Sequence, residues 1–200
     1  ITGADTGGGI VVNGYGRYLE IANNRIISNQ GFYGGGIRLG HPILTQETGA
    51  GLVYQDAHND HVRIHNNHIT QNGGLGGSGG GVSLCTGADS YRLDHNVICG
   101  NFNQGPGGGV GHLGHSHNGS IAAHPILFNE SFNQGQKVSG GGLSIAGGLP
   151  LAPGGLSPGS GSVTVNGNRI LGNLAGAGDG GGVSLARING QDVDESPGTF

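Results

Sequence analysis

Ten histidines carry most of the reactive chemistry in this 200-residue chain: His41, His58, His61, His65, His68, His95, His112, His115, His117 and His124. The densest run is His112-x2-His115-x-His117, and His41 and His58 fall near Asp56 and Asp60 in an earlier stretch. Mixed imidazole and carboxylate donors suit Zn²⁺, Cu²⁺ or Ni²⁺. His41, His58, His112, His115 and His117 are therefore the candidate metal set. Their spacing matches no established ligand motif, and solvated loop imidazoles are the plainer alternative. His65, His68 and His95 read as turn residues. Cys85 and Cys99 are expected as free thiols, because a disulfide needs Cα atoms within about 7 Å. Tyr15, Tyr18, Phe32, Tyr33, Tyr54, Tyr91, Phe102, Phe128 and Phe132 can stack on sugars, but they do not recur at one repeat position. Asn118-Gly-Ser fits a glycosylation sequon.

Composition narrows what can position these groups. Forty-eight residues are glycine, only 10% are charged, and Trp and Met are absent. Glycine does not fall at every third position, which excludes collagen. The 34% hydrophobic content argues against disorder. A net charge of −4 without a basic run argues against nucleic acid. No apolar stretch reaches the ~18 residues of a membrane span. The chain starts at Ile1 inside a repeat, so it is expected to be a piece of a longer polypeptide. Low charge and a single Lys fit an extracellular, cell-surface or periplasmic setting.

The positioning element is a repeat. Gly-Gly-Gly followed by an aliphatic residue starts at Gly7, Gly34, Gly79, Gly107, Gly140 and Gly180. Before the last five triplets lies an aliphatic-x4-Ile-x2-Asn element, beginning at Ile21, Ile64, Leu93, Ile121 and Val165. After the triplets, Ile37, Val82, Val110, Leu143 and Val183 align, with Leu39, Leu84, Ile145 and Leu185 two residues on. That alternation has the period of a strand. The spacing predicts three short strands per coil, and stacking of about five to six coils into one core.

His112 falls in the inward Leu39/Leu84/Ile145/Leu185 column. An imidazole there without a partner costs roughly 1–3 kcal/mol, so a one-residue bulge placing Leu113 inward is expected. Asn24, Asn67, Asn96 and Asn168 align at one corner, with His124 in the odd place. Asn29, Asn72, Asn101, Asn129 and Asn173 align at the next. Asn tolerates the left-handed conformation, and stacked amides can form a ladder. Insertions at about 40–60, 113–119 and 147–160 all follow the first strand.

These columns resemble the right-handed parallel β-helix proteins of the pectate-lyase-like superfamily, with a weaker likeness to NosD-type copper-maturation proteins and adhesin passenger repeats. The resemblance covers roughly residues 7–189 and implies an all-β, right-handed, single-stranded parallel β-helix forming one domain over 1–200. Carbohydrate-active members carry acids and bases along the outer face of the first strand, often with Ca²⁺. The matching row here is Arg38, Ser83, Gly111, Ser144 and Ser184, which holds one Arg and no carboxylate. Arg38 with Asp56, Asp60 or Asp89 is the weak catalytic candidate.

The expectation is therefore a scaffold or binding module, structural, adhesive or glycan-binding. A polysaccharide lyase or hydrolase is one alternative, and a His-rich copper- or zinc-binding β-helix is another. Polysaccharide, or neighbouring segments and subunits capping the solenoid ends, are the expected partners.

Overall fold

The computed structural model describes residues 8–40, 45–48, 51–54, 58–85, 88–150 and 152–190. All regular elements among these are β-strands, stacked into four parallel sheets with one strand from each coil. The first sheet holds Ile10–Val12, Ile37–Leu39, Val82–Cys85, Val110–Leu113, Leu143–Ala146 and Val183–Ala186. The second holds Glu20–Ala22, Arg63–His65, Arg92–Asp94, Ser116–Ala122 and Gly161–Asn166. The third holds Arg25–Ile27, His68–Thr70, Val97–Cys99, Pro125–Leu127 and Arg169–Leu171. This is a parallel β-helix of five full coils and the first strand of a sixth.

The three strands expected per coil are joined by a fourth of two residues: Gln30–Gly31, Gly73–Gly74, Phe102–Asn103, Glu130–Ser131 and Leu174–Ala175. Its column Gly31/Gly74/Asn103/Ser131/Ala175 has no large apolar residue, so hydrophobic alternation does not mark it. The second coil also carries an antiparallel hairpin, Thr45–Thr48 with Gly51–Tyr54.

The inward columns pair in register, as in Ile37↔Val82↔Val110↔Leu143 and Ile69↔Ile98↔Ile126. All seven are completely buried. Each such side chain contributes about 1.5–3 kcal/mol on leaving water. No coil closes a core alone, so this burial exists only through stacking.

Both asparagine columns are ladders. The Asn67 backbone N–H and Nδ2 both donate to Asn96 Oδ1, at 3.0 and 2.9 Å. Asn72 donates to Asn101 Oδ1 in the same way, at 2.9 and 3.0 Å. From the second coil on, each ladder Nδ2 also reaches back to a carbonyl of the preceding coil, as Asn101 does to Ile69 O at 2.9 Å. The ladder residues do not themselves adopt the left-handed conformation, contrary to expectation. That conformation belongs to the residue just before: Asn23, Asn66, His95, Ala123 and Gly167 at one corner, and Ser28, Gln71, Gly100, Phe128 and Gly172 at the next. Left-handed backbone costs a non-glycine residue roughly 1–2 kcal/mol, and the ladder bonds hold Ala123 and Phe128 there.

Each glycine of a triplet answers a different contact. Gly79 has φ +76, and a Cβ there would lie 2.0 Å from Val82 O. At Gly80 it would lie 2.2 Å from Phe102 O, in the fourth strand of its own coil. At Gly81 it would meet Gly109 O at 2.7 Å and the ladder amide of Asn101 at 3.0 Å. The triplet is thus a crossing point where backbone passes over backbone. Gly80→Ala should lose about 3 kcal/mol. Gly73→Ala, whose Cβ would meet only Gln30 Cγ at 3.5 Å, should stay within about 0.5 kcal/mol of the parent. Guanidinium unfolding of the two variants checks the contrast.

Candidate functional site

The outer face of the first sheet is closed over its middle four strands, while Val11 in the first coil stays 38% exposed and Ser184 in the last is half-buried. Arg38, Ser83 and Ser144 were expected to face solvent, yet all three are buried, at 1%, 0% and 3% exposure. The re-entry loops fold back over this face. A Cβ on Gly111 would lie 2.0 Å from Ser78 Oγ, and one on Gly140 would lie 2.8 Å from Ser144 Cβ. At Gly111 and Ser144 the covering loop leaves room for a small side chain only, which accounts for Gly and Ser at those positions. Arg38 lies in the covered space and donates from Nη2 to Asn13 Oδ1.

The expected bulge at His112 does not occur. Leu84, His112 and Ile145 pair in register, and the irregularity lies one strand later, between Ser116 and Gly119. His112 is 1% exposed and fully engaged. Its Nε2–H donates to Gly114 O at 2.9 Å, and Tyr91 O–H donates to Nδ1 at 3.1 Å. Tyr91 reaches it because the facing residue is Gly119, where a Cβ would lie 2.6 Å from the Tyr91 ring. A tyrosine opposite a glycine in one column is a sequence signal for this pair. Burial drives the His112 pKa down from 6.5 to about 4 and raises that of Tyr91. With both ring nitrogens bonded inside the core, His112 has none directed at a metal shared with His115 and His117.

His124 takes an asparagine's place in its ladder. Its Nδ1 accepts from Asn96 N–H at 3.0 Å, and its Nε2–H donates to Leu93 O at 2.8 Å. The ring imitates an amide, with one acceptor and one donor. Burial lowers its pKa, against partial compensation from the backbone carbonyls of Leu93 and Asn96.

The exposed chemistry gathers at the corner between the first and second sheets. Two coils run in register there, so Tyr15, Gly16, Arg17 and Tyr18 lie beside His58, Asn59, Asp60 and His61. Tyr18 N–H donates to Asp60 O, and His61 N–H to Asp89 O, both at 2.9 Å. The Tyr15 and His58 rings are 5.5 Å apart, and Tyr18 stacks on His61 at 4.9 Å. Arg17 pairs with Asp60 at 2.8 Å. Asn59, completely buried, accepts from Gly16 N–H and donates to Val12 O, both at 3.0 Å. Sequence reasoning missed Asn59, and no repeated column marks it.

The same corner continues through Ala88, Asp89 and Ser90 to His117 and Asn118. Asp89 Oδ1 accepts from His117 N–H at 2.7 Å, and its Oδ2 lies 3.4 Å from the ring. His115 packs edge-on against His117 at 4.7 Å. The fold thus brings His58, His115 and His117 to one corner, with a whole coil between the first and the others. Among the described residues no three His, Cys, Asp or Glu side chains are grouped to hold a metal. His41 and Asp56 lie outside the described residues. Asp60 and Asp89 are each engaged locally and do not converge with Arg38.

On the outer face of the second sheet, His65 Nε2 meets Glu20 at 2.5 Å, and Arg63 donates twice to Asp94 at 3.2 Å. Burial opposes ionisation of Asp94, but bonds from Arg63 and His95, with Arg92 nearby, hold its carboxyl below 3.8. Cys85 and Cys99 are free thiols, as expected. Burial pushes Cys85 up to about 11. Among the described residues no helix is long and apolar enough to cross a membrane.

Comparison with protein-family models, curated proteins and solved structures found no match.

Both inward histidines are held neutral, so the unfolded chain binds more protons than the native one below 6.5. Stability should be complete above that pH and fall as pH drops from 6.5 towards 4, by about 3 kcal/mol from His112 alone. Loss of ionised Asp94 adds to this only below 3.8. His124→Asn should restore an all-amide ladder, preserve stability at pH 7 and flatten part of the slope. Guanidinium midpoints between pH 7 and 4 measure both effects.

Proposed function

We propose that this chain is an extracellular or cell-surface β-helix of pectate-lyase-like architecture. It serves as a scaffold and binding module rather than as a polysaccharide-cleaving enzyme. The observation that carries this reading is the burial of Arg38, Ser83 and Ser144 beneath the glycine-rich loops. A polymer cleft along the outer face of the first sheet needs that row open. Glycoside hydrolysis also needs two carboxylates across one bond, whereas Asp60 and Asp89 are taken up by Arg17 and His117. The regular ladders support a structural role, because they satisfy the corner amides and rigidify every turn.

Partners at the ends of the solenoid belong to the same reading. The last coil exposes Val183 and Leu185 by 39% and 52%. This is an apolar end of the kind that a neighbouring solenoid segment or subunit covers.

Incubation with polygalacturonate and other acidic polysaccharides, with and without Ca²⁺, should release no oligosaccharide detectable by chromatography. Sustained release of unsaturated or hydrolysed products would overturn the non-catalytic reading.

A further inference from the structure

We propose that the outer face of the third and fourth sheets is a homodimer interface, covered by the same face of a second copy lying alongside. The surface is lateral and separate from the solenoid ends. Leu75, Phe102, Leu127, Phe128 and Phe132, which define it, all belong to coils with a neighbour on both sides.

Four outward columns run up this face. They are those of Leu127 in the third sheet, Phe128 at the turn, Phe102 in the fourth sheet and Phe132 just beyond it. Glu130 is the one charged side chain in the four columns. The outer face of the second sheet is the opposite case, with Glu20, Arg63, Arg92, His65 and Asp94 in two adjacent columns. Charged residues are depleted from the centres of protein interfaces and aromatic ones are enriched there. A contiguous apolar surface on several coils marks such a contact.

The exposed rings are placed at the expense of local backbone preference. Phe128, Leu75 and Phe132 are 61%, 49% and 42% exposed, and Phe102, Leu127 and Cys99 are half-buried between them. Phe128 has φ +52 at a turn where other coils place Ser28, Gln71, Gly100 and Gly172. Large side chains resist that conformation, and an exposed ring adds little to the core in compensation. A Cβ on Gly172 would lie 2.6 Å from the Phe128 ring, and one on Gly176 would lie 2.5 Å from that of Phe132. Each ring thus rests on a glycine of the next coil. The rings lie along the face, and their low relief suits a second sheet face packed against them.

Size and charge select the occupant. Five coils at about 4.8 Å, and the run from Arg25 to Phe32 at about 3.3 Å per residue, span roughly 600 Å². Two copies together bury about 1,200 Å², which reaches the range of a specific interface. Two chains of net −4 approach with least repulsion through the face that carries the fewest charges. With no Lys or Arg in its four columns, the face does not suit an anionic lipid surface. A two-fold axis pairs it with itself, as in most homodimers.

The test is sedimentation equilibrium of the 200-residue chain between about 1 and 500 μM. A monomer–dimer equilibrium should appear in that range. Phe128→Asn and Leu127→Arg should each weaken the dimer at least about tenfold, whereas Leu185→Arg, at the solenoid end, should change it less than about twofold. The thermal midpoint of monomeric Phe128→Asn should hold or rise, because Asn accepts the left-handed backbone. Alkylation of Cys99, the half-buried thiol, should slow as the parent chain is concentrated, and not in Phe128→Asn; Cys85 is buried throughout. A chain that stays monomeric, a dimer that the folded face variants leave intact, or Cys99 alkylation independent of concentration overturns the interface. Equal weakening by Leu185→Arg also overturns it and assigns the association to the solenoid ends.

Discussion

The structure depends on one constraint: each coil must hand its backbone groups to the next at the spacing of hydrogen-bonded strands, about 4.8 Å. Strands do this automatically, but corners do not, because their N–H and C=O groups point away from any ladder. The asparagine columns solve the corner problem. One side-chain oxygen accepts two bonds from the coil before, and one amide nitrogen returns a bond to a carbonyl of that same coil. With the corners satisfied, left-handed residues as unfavourable as Ala123 and Phe128 are held in place, and the isoleucine columns fall into register.

The same spacing explains the glycines. A chain that leaves the fourth strand and re-enters the first must pass over its own backbone and beside its neighbour's. At Gly80, Gly108 and Gly141 the would-be Cβ lies 2.2–2.3 Å from a carbonyl oxygen of the fourth strand. By folding over the middle strands of the first sheet, these loops close that face there and leave polar side chains exposed at the corner between the first and second sheets.

Much of the fold was legible in the residues themselves. The triplets, the aliphatic columns and the two asparagine columns each recur with little change, and recurrence in a stacked solenoid is contact. The fourth strand was not legible, since its column runs Gly31, Gly74, Asn103, Ser131 and Ala175. Counting placed His112 inward, but the energetic cost of a lone buried imidazole argued for a bulge. The argument failed because the imidazole is not alone: Tyr91 reaches it through space vacated by Gly119. That compensation involves residues 21 and 7 positions away, in a different column from that of His112, so the His112 column by itself does not show it.

The candidate site divides along the same line. Sequence by itself determined the coil, the strand order within it, the ladder positions and which aliphatic residues share a column, because these follow from local propensity repeated at a near-constant pitch. Tertiary structure alone decided which faces remain open. It buried Arg38 and the serine row, sent Asp60 to Arg17 and Asp89 to His117, and set Tyr15 on His58 and Tyr18 on His61. The reason is physical. A column states which residues lie above one another, but whether that column meets water depends on where unrepeated loops fold, and loops carry no period from which their path can be read.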